Sequence, residues 1–573
     1  METTLTIVTE RVDDIPLLVG QMDHMGLEAL LDQHFPTHAN WQGLSLGQVT
    51  TGWLAHILSQ ADHRMNYVEQ WAGKRLRMLS GLFDKPVRAL DFSDDRLSLI
   101  LKAFSADADW ADFEAALNGH LLRIYDLSAE CVRLDATTAS GYFAVTEQGL
   151  FQFGHSKDHR PDLPQVKIML STLDPLALPL ATQIVSGQRA DDPLYIPAIE
   201  QVHQSLGRRG LLFVGDCKMA AFDTRAYIAA SGDYYLCPLS KTHLSSEVLA
   251  GYLDRLWHGQ ETLQAVSRMD ANGKKAQIAE GFEHFETLVT SDAEAPLVWT
   301  ERHLVVRSLA QAEAACKALD ARLERALEAL VALNKRGRGK KRLREVAQAR
   351  EAVDEVLSRY RVADLIEIQY QEAVTESPVR RYRDRPARLE IERTVTLTAT
   401  VNEAALEAAK KRLGWRVYVT NQPGEALPLE AAVCAYRHQY RIEHPIGRLK
   451  GQPLSLSPLY LQREDHVKGL VRLLSIALRV LMLLEHQVRR GLADSGEALV
   501  GLDVAHAKRA IARPTAERLL KAFSDITLTL IEESDRRLVH VTVLSELQER
   551  ILALLDLSPK LYLEVGTHFS QPP

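Results

Sequence analysis

The sequence predicts a mixed α/β protein with helical regions at both ends of the chain, and three observations favour this class. Short apolar runs bounded by polar residues alternate with a helical pattern between about residues 125 and 240. Apolar residues recur at helical spacing before residue 115 and again from about 466 onward. The composition, 46% hydrophobic and 25% charged over 573 residues, is that of a folded protein with room for about three or four domains.

Residues 1–115 are predicted to form a helical N-terminal domain. Leu27, Leu30 and Leu31 begin one amphipathic stretch. Asp94 and Asp95 fit the first turn of a later helix, behind a Ser93 cap. Such a domain would either bind DNA or pair two protomers, and the sequence leaves both interpretations open.

Residues 125–240 are predicted to form the first part of an α/β core. Its strand candidates are apolar runs bounded by polar residues, at Glu130 to Ala136, Gln165 to Leu173, Leu178 to Val185 and Leu211 to Asp216. Asp191, Asp192 and Pro193 open a helix between the last two runs. The alternation indicates central strands that are covered on both faces.

Residues 241–410 interrupt this alternation and are predicted to form an inserted domain of mixed α and β structure. Apolar residues recur at helical spacing in 309–333 and 343–360, on either side of the sequence NKRGRGKKR. This pattern predicts an antiparallel helical hairpin. Its tip carries a basic cluster that either contacts DNA phosphates or is a solvated turn; the candidates for contact are Lys335, Arg336, Arg338, Lys340 and Lys341.

The α/β core is predicted to resume at 411–495, followed by a C-terminal region at 496–573 that could serve dimerisation. The most apolar window, Leu470 to Leu484, contains Arg472 and Arg479 and is therefore predicted to be a buried helix rather than a membrane span. The N-terminus lacks the basic and apolar segments of a secretory signal. Five cysteines without a C-x-x-C pair fit a reducing cytosol. We therefore expect a cytoplasmic protein without a membrane partner.

Three acids are candidates for chemistry. Asp135 and Asp216 each lie near the end of a predicted strand, where an α/β sheet usually binds its ligands. Each acid alone would more often be a helix cap or a salt-bridged residue, but two of them in one core raise the prospect of a Mg²⁺ site. The third, Glu443, lies in a predicted helix at 435–450, where Tyr436 and Lys450 share its face.

Cationic side chains surround Glu443 in this helix. Arg437, Arg441, Arg448 and Lys450 would contact phosphates if Glu443 holds a metal ion. The alternative is a solvated helix with ion pairs along its surface. Pro445 weakens that alternative, since a proline inside a helix implies a kink.

The order Asp135, Asp216 and, after a long insertion, Glu443 resembles the DDE transposases of bacterial insertion sequences. Within that family the chain is similar to the group with a Y-x2-R-x3-E-x6-K helix. Tyr436, Glu443 and Lys450 match three of its four positions, whereas Gln439 replaces the arginine. The blocks LDATTASGYF, GHSKDHRPDLPQVKIML, SGQRADDPLYIP, VGDCKMAA and WRVYVTN are also similar and occur in the same order. The resemblance covers about residues 128–490.

This resemblance implies a ribonuclease-H-like core whose acids Asp135, Asp216 and Glu443 bind two Mg²⁺ ions, with Mn²⁺ as a substitute. It implies a transposase that binds the terminal inverted repeats of its element as double-stranded DNA, cleaves there and joins the ends to target DNA. Tyr436 and Lys450 would contact the DNA end, and Lys157 and Arg160 are further candidates for phosphate contact.

Two other functions stay open beside an active transposase. One is a transposase-derived DNA-binding protein without catalysis, and the other is a metal-dependent nuclease that does not join strands. We expect at least a dimer on DNA, in the cytoplasm and associated with the nucleoid when bound.

Overall fold

The computed structural model describes residues 5–269, 273–290, 296–335, 343–380, 386–503, 506, 508–533 and 536–566. Over these residues the chain is a mixture of helices and strands, which confirms the α/β class. The chain divides into two compact units. The first comprises Met1–Cys237, Val289–Trp299 and Ala435–Pro573, and the second comprises Pro238–Leu288 and Thr300–Cys434.

The N-terminal part of the first unit is helical apart from one strand. Its elements are β1 (Leu5–Arg11), α1 (Ile15–His24), α2 (Leu27–His34), α3 (Leu46–Gln60), α4 (Val68–Gly73), α5 (Leu76–Phe83), α6 (Asp94–Phe104) and α7 (Asp107–Ile124). Ser45 and Gln48 form a capping box at the start of α3. Asp94 and Asp95 lie in the first turn of α6 as predicted, where the helix dipole favours negative charge.

The strands that follow form the sheet of the first unit. The elements are β2 (Cys131–Ser140), β3 (Gln165–Leu173), β4 (Leu178–Ser186), α8 (Tyr195–Leu206), β5 (Leu212–Val214), α9 (Phe222–Ala230) and β6 (Tyr234–Pro238). The strand order is β4-β3-β2-β5-β6. The strands β2, β3 and β4 pair antiparallel, whereas β5 is parallel to both β2 and β6. Every residue of β3 is buried, as expected for a strand covered on both faces.

The second unit contains the predicted helical hairpin. Its elements are α10 (Ser246–Trp257), β7 (Gln264–Met269), β8 (Lys275–Val289), β9 (Val298–Ser308), α11 (Leu309–Leu333), α12 (Val346–Tyr360), β10 (Ile366–Val379), β11 (Arg388–Val401), α13 (Glu403–Lys411) and β12 (Trp415–Thr420). The leucines of α11 and α12 pack with the β10–β11 ribbon in one hydrophobic core. The helices α11 and α12 therefore share one core with the ribbon.

The chain returns to the first unit at Ala435, which lies inside the next helix. The remaining elements are α14 (Leu429–Arg437), α15 (Tyr440–Lys450), α16 (Glu464–Ser495), α17 (Ala516–Lys521), β13 (Thr527–Glu533), β14 (Arg536–Val541), α18 (Glu546–Leu554) and α19 (Lys560–Leu563). A β-carbon on Gly469 of α16 would lie 2.1 Å from the carbonyl oxygen of Leu101, so this close approach to α6 requires glycine. The window 470–484 is a buried helix, as predicted. None of the helices that the structure describes combines the length and apolarity needed to cross a bilayer.

The two ends of the chain share a small sheet that the sequence did not reveal. Strand β1 pairs antiparallel with β13, from Leu5 opposite Glu533 to Arg11 opposite Thr527, and β13 pairs with β14. Tyr562 also donates a hydrogen bond to the carbonyl of Asp13 at 3.0 Å. The N-terminal and C-terminal regions therefore pack against each other.

The predicted single helix at 435–450 was wrong in one respect. It is two helices, α14 and α15, separated by a turn at His438 and Gln439. Pro445 lies inside α15 and cannot donate an amide hydrogen bond to the preceding turn. As a result Tyr436 is on α14, whereas Glu443 and Lys450 are on α15, so the three do not share one continuous helix face.

Candidate active site

Two acids lie side by side where the parallel strands β2 and β5 stop pairing. The last parallel pair joins Arg133 to Val214. Asp135 and Asp216 each follow two residues later, so the register brings them together at the carboxyl edge of the two strands. Strand β2 itself continues to Ser140 through its pairing with β3. Asp135 is therefore inside a strand, and the predicted strand end at this residue was wrong.

Asp216 is held in place by two hydrogen-bond donors. Its Oδ1 accepts from the hydroxyl of Tyr195 at 2.7 Å and from the backbone N–H of Lys218 at 2.8 Å. Tyr195 is buried at the start of α8. Burial and the negative charge of Asp216 raise the pKa of Tyr195 well above its ordinary value, so its hydroxyl stays protonated and continues to donate.

The negative charge of Glu443 acts electrostatically on Asp135, one of these two acids. Glu443 is exposed in the first turn of α15, and α15 packs against β2. Burial is the main reason that the pKa of Asp135 rises to about 6, and the ammonium group of Lys157 opposes the rise. The negative charges of Asp216 and Glu443 raise the pKa of Asp135 further. The structure thus brings Asp216 and Glu443 within electrostatic range of Asp135.

The chemistry of these donors fits a divalent cation. Mg²⁺ prefers carboxylate oxygens, and carboxylates that repel one another are stabilised by a shared cation. In the described part of the chain, however, no group of three or more His, Cys, Asp or Glu side chains has the spacing to hold a metal ion. The acids are gathered, but they are not at ligating distances from a common point.

The loop between β2 and β3 brings two opposite charges to this site. Lys157 places its Nζ 3.6 Å from Oδ1 of Asp135. The next residue, Asp158, forms an ion pair with Lys450. The Nζ of Lys450 is also 3.3 Å from Oγ1 of Thr137 on β2. The loop therefore links the first acid to the lysine at the end of α15.

Gln439, which replaces the arginine of the family pattern, lies at the turn before α15. Its Oε1 accepts a hydrogen bond from the buried Arg133 at 3.4 Å. Arg133 also donates to the carbonyl of Ala435 at 2.8 Å and to Asp174 at 2.8 Å. Arg441 contacts the same Asp174 carboxylate at 2.9 Å. Arg133 and Arg441 therefore share one acid and tie β2 to the turn between the two helices.

Arg448 is 5% exposed and bonded to two carboxylates. It contacts Glu485 of α16 and, through Nε, Glu517 of α17 at 2.8 Å. These ion pairs hold three helices together, and the DNA contact predicted for Arg448 has no support in this arrangement.

The other predicted DNA-binding residues are spread over both units. Tyr436 and Arg437 are half-buried on α14. Arg160 is exposed and pairs with Asp162 at 2.7 Å. Lys335 is exposed just after α11. The remaining predicted contacts lie outside the described residues; they are Arg336, Arg338, Lys340 and Lys341.

Sequence reasoning missed an ion-pair network beside the acids. Lys167 is buried in β3, and its Nζ lies 2.5 Å from Oδ1 of Asp191. The other oxygen of Asp191 is 3.7 Å from Nζ of Lys157. Burial by itself would raise the pKa of Asp191, but the hydrogen bond from Lys167 and the charge of Lys157 lower this pKa below its ordinary value. The available signal was the lysine within the apolar run QVKIMLSTL, since a buried lysine requires a carboxylate partner.

A basic cleft of about 790 Å³ lies between α15 and α16. Its cationic and titratable lining residues are Arg441, His444, His486, Arg489, Arg490 and Arg513. Glu485 and Glu497 also line it, but the first is paired with Arg448 and Arg489 and the second with Arg550. Within the described residues, the exposed Arg490 and Arg513 have no carboxylate partner. The cleft therefore presents uncompensated positive charge.

The fold and the site define an α/β protein with carboxylates gathered at the edge of a mixed sheet. Residues 130–480, more than half of the chain, match the family described as "Transposase DDE domain". The chain belongs to this family of DDE transposases, as the sequence resemblance implied. Residues 7–110 match a family described as "Domain of unknown function (DUF4277)".

Two further comparisons add little to this assignment. No curated protein matches the chain. A solved structure, the cryo-EM structure of the piggyBac transposase synaptic complex with hairpin DNA, is 6% identical with a TM-score of 0.34. The similarity covers 90% of this chain and 81% of that chain. A score this low does not establish a shared fold.

Proposed function

We propose that this protein binds the terminal inverted repeats of its insertion sequence and catalyses metal-dependent DNA cleavage and strand transfer. The proposal is carried by the position of Asp135 and Asp216, side by side beyond the parallel pairing of β2 and β5, within range of the charge of Glu443. The strand order β4-β3-β2-β5-β6 supports a ribonuclease-H-like core. In this proposal 125–240 and 411–495 form that core, 241–410 is its insertion, and 1–115 and 496–573 serve end binding or dimerisation.

Asp135, Asp216 and Glu443 would hold two Mg²⁺ ions, or Mn²⁺ in their place. When bound, such ions activate a water or a 3′-hydroxyl and stabilise the leaving oxygen of a phosphodiester displacement. Tyr195 fixes the orientation of Asp216 through its hydrogen bond. Lys450, held beside β2 by Thr137, is within reach of the same edge and is proposed to contact the DNA end.

The DNA partner is proposed to be duplex DNA carrying either the element's ends or the target. Two ends must be held at once for joining, so the active form is proposed to be at least a dimer. The protein is proposed to act in the cytoplasm, at the nucleoid when DNA-bound.

The test of this function is an assay on a supercoiled plasmid that carries the element's two inverted repeats, with a second supercoiled plasmid as target. We expect Mg²⁺-dependent cuts at the repeat ends and a joined product in the target. Cuts without joining would favour the nuclease alternative. Binding of the repeats without cuts in either Mg²⁺ or Mn²⁺ would favour the DNA-binding protein without catalysis.

The basic cleft is proposed to hold the phosphate backbone of the bound duplex. If Arg490 and Arg513 each neutralise one phosphate, replacing either by glutamine should make the plot of log association constant against log salt concentration less steep. The magnitude of its slope should fall by about 0.9. Binding of a repeat-end duplex, measured by fluorescence anisotropy between low and moderate salt, reports this slope. Arg64→Gln is the matched control, because Arg64 is an exposed arginine outside the cleft, paired with Asp62. An equal change of slope for all three variants would contradict a contact specific to the cleft.

A further inference from the structure

We propose that Lys157 is a built-in counter-cation of the acid cluster formed by Asp135, Asp216 and Glu443. Its ammonium group leaves Asp135 and pairs with Asp191 when a divalent metal ion binds. This inference rests on the proposed function, since it assigns to the same acids a mechanism of metal entry. The juxtaposition behind it is one ammonium group between two carboxylates, 3.6 Å from Asp135 and 3.7 Å from Asp191.

Lys157 is an exposed residue whose side chain is 31% accessible, and its loop holds it in position. Its backbone N–H donates to Oγ1 of Thr138 at 3.1 Å, and its Nζ donates to the carbonyl of Ala136. The neighbouring Asp158 is anchored by Lys450. The loop is thus attached to β2 and α15, which keeps the side chain of Lys157 beside Asp135.

The ammonium group of Lys157 reduces the repulsion within the acid cluster. Asp135 is close to two other negative charges, and Lys157 is the cation that opposes the rise of its pKa. Removing Lys157 would leave that repulsion without its nearest compensation. The same position conflicts with metal binding, because a monovalent cation beside a ligand repels a divalent one.

Asp191 gives the ammonium group a second carboxylate. Asp191 is anchored independently by the buried Lys167, so it keeps its position whether or not Lys157 moves. Because Lys157 already lies as close to Asp191 as to Asp135, a small side-chain rotation would exchange one ion pair for the other.

The test is Mn²⁺ binding to the full-length protein without DNA, measured by electron paramagnetic resonance at pH 8, where Asp135 is ionised. We expect Lys157→Met to bind Mn²⁺ at least about tenfold more tightly than the unmodified protein. Lys157→Arg keeps the charge and should bind much as the unmodified protein does. Lys317→Met removes an exposed lysine paired with Glu313 on α11 and should also leave Mn²⁺ affinity unchanged.

A double-mutant cycle separates the exchange from a simple charge effect. Asp191→Asn should weaken Mn²⁺ binding, because Lys157 then has only Asp135 as a carboxylate partner. In the Lys157→Met background the same change should have a much smaller effect. If Lys157→Met leaves the affinity unchanged or lowers it, or if the two changes are additive, the inference is wrong. Lys157→Gln replaces Lys157→Met if the latter unfolds, as judged by its melting temperature.

The proposed function has its own readout in the same experiment. Asp135→Asn should lower Mn²⁺ affinity strongly if Asp135 is a ligand. Unchanged affinity in Asp135→Asn would contradict the proposed metal site itself. Weaker binding in Asp135→Asn together with no gain in Lys157→Met would contradict the role of Lys157 alone.

Discussion

Asp135→Asn is expected to reduce metal-dependent DNA cleavage by at least about 10³-fold while the protein still binds its repeat ends. The amide keeps the shape of the side chain but removes the negative charge that a cation needs. Asp216→Asn and Glu443→Gln should have effects of similar size, because all three charges act on the same edge of the sheet. Single-turnover cleavage of a labelled repeat end in Mg²⁺ measures the loss.

Asp109→Asn is the matched control for these variants. Asp109 is exposed in the first turn of α7, so this change removes one negative charge without touching the acids. Cleavage by this variant should equal that of the unmodified protein, and end binding by anisotropy should be unchanged in all four variants. A variant of Asp135, Asp216 or Glu443 that cuts at the normal rate would remove that residue from the proposed catalytic set.

Arg479→Met is expected to lower the free energy of unfolding by about 3–5 kcal/mol. Arg479 of α16 is 0% exposed and contacts Glu114 of α7, itself 1% exposed, at 2.7 Å. The substitution removes the ion-pair partner of a buried carboxylate, which keeps the hydrogen bond from Gln201 and the more distant charge of Arg472. Burial already raises the pKa of Glu114 with Arg479 beside it. A carboxyl whose folded pKa lies above its unfolded pKa loses stability as pH rises, so the cost should be larger at pH 8 than at pH 5.

Urea unfolding of the single and double variants checks this ion pair. Glu114→Leu should also destabilise the protein, since it leaves the guanidinium of Arg479 buried and, among the described residues, without a carboxylate, although its hydrogen bond to Ser475 remains. The double variant with Arg479→Met and Glu114→Leu should be more stable than either single variant, because neither charge then remains unpaired. A double variant whose loss is the sum of the two single losses would contradict the coupling between α7 and α16.

Part of the candidate site could be predicted from the sequence, and part could not. The sequence indicates Asp135, Asp216 and Glu443, because acids after apolar runs and a matching helix pattern are local features. Their gathering is supported by the register of β2 and β5. The partners of these acids could not be predicted from the sequence, because Tyr195 and Lys157 contact them only when separate segments pack together.

Cationic side chains illustrate the same limit. Arg441 and Arg448 look alike in the sequence, each followed by apolar residues in the segment 435–450. In the structure Arg441 lines an open cleft, whereas Arg448 is buried between Glu485 and Glu517. Periodicity places a residue on a helix but does not say what covers that face of the helix.

The sequence by itself determined the family, through the resemblance of its ordered motifs. It also determined the α/β class and the buried helix at 470–484, because apolar periodicity is a property of neighbouring residues. Only the tertiary structure decided that β1 pairs with β13, that the segment 435–450 breaks at His438, and that Lys157 stands between two acids. These features depend on contacts between residues far apart in the chain, and their free energies arise from packing, strand register and the exclusion of water, which no local pattern encodes.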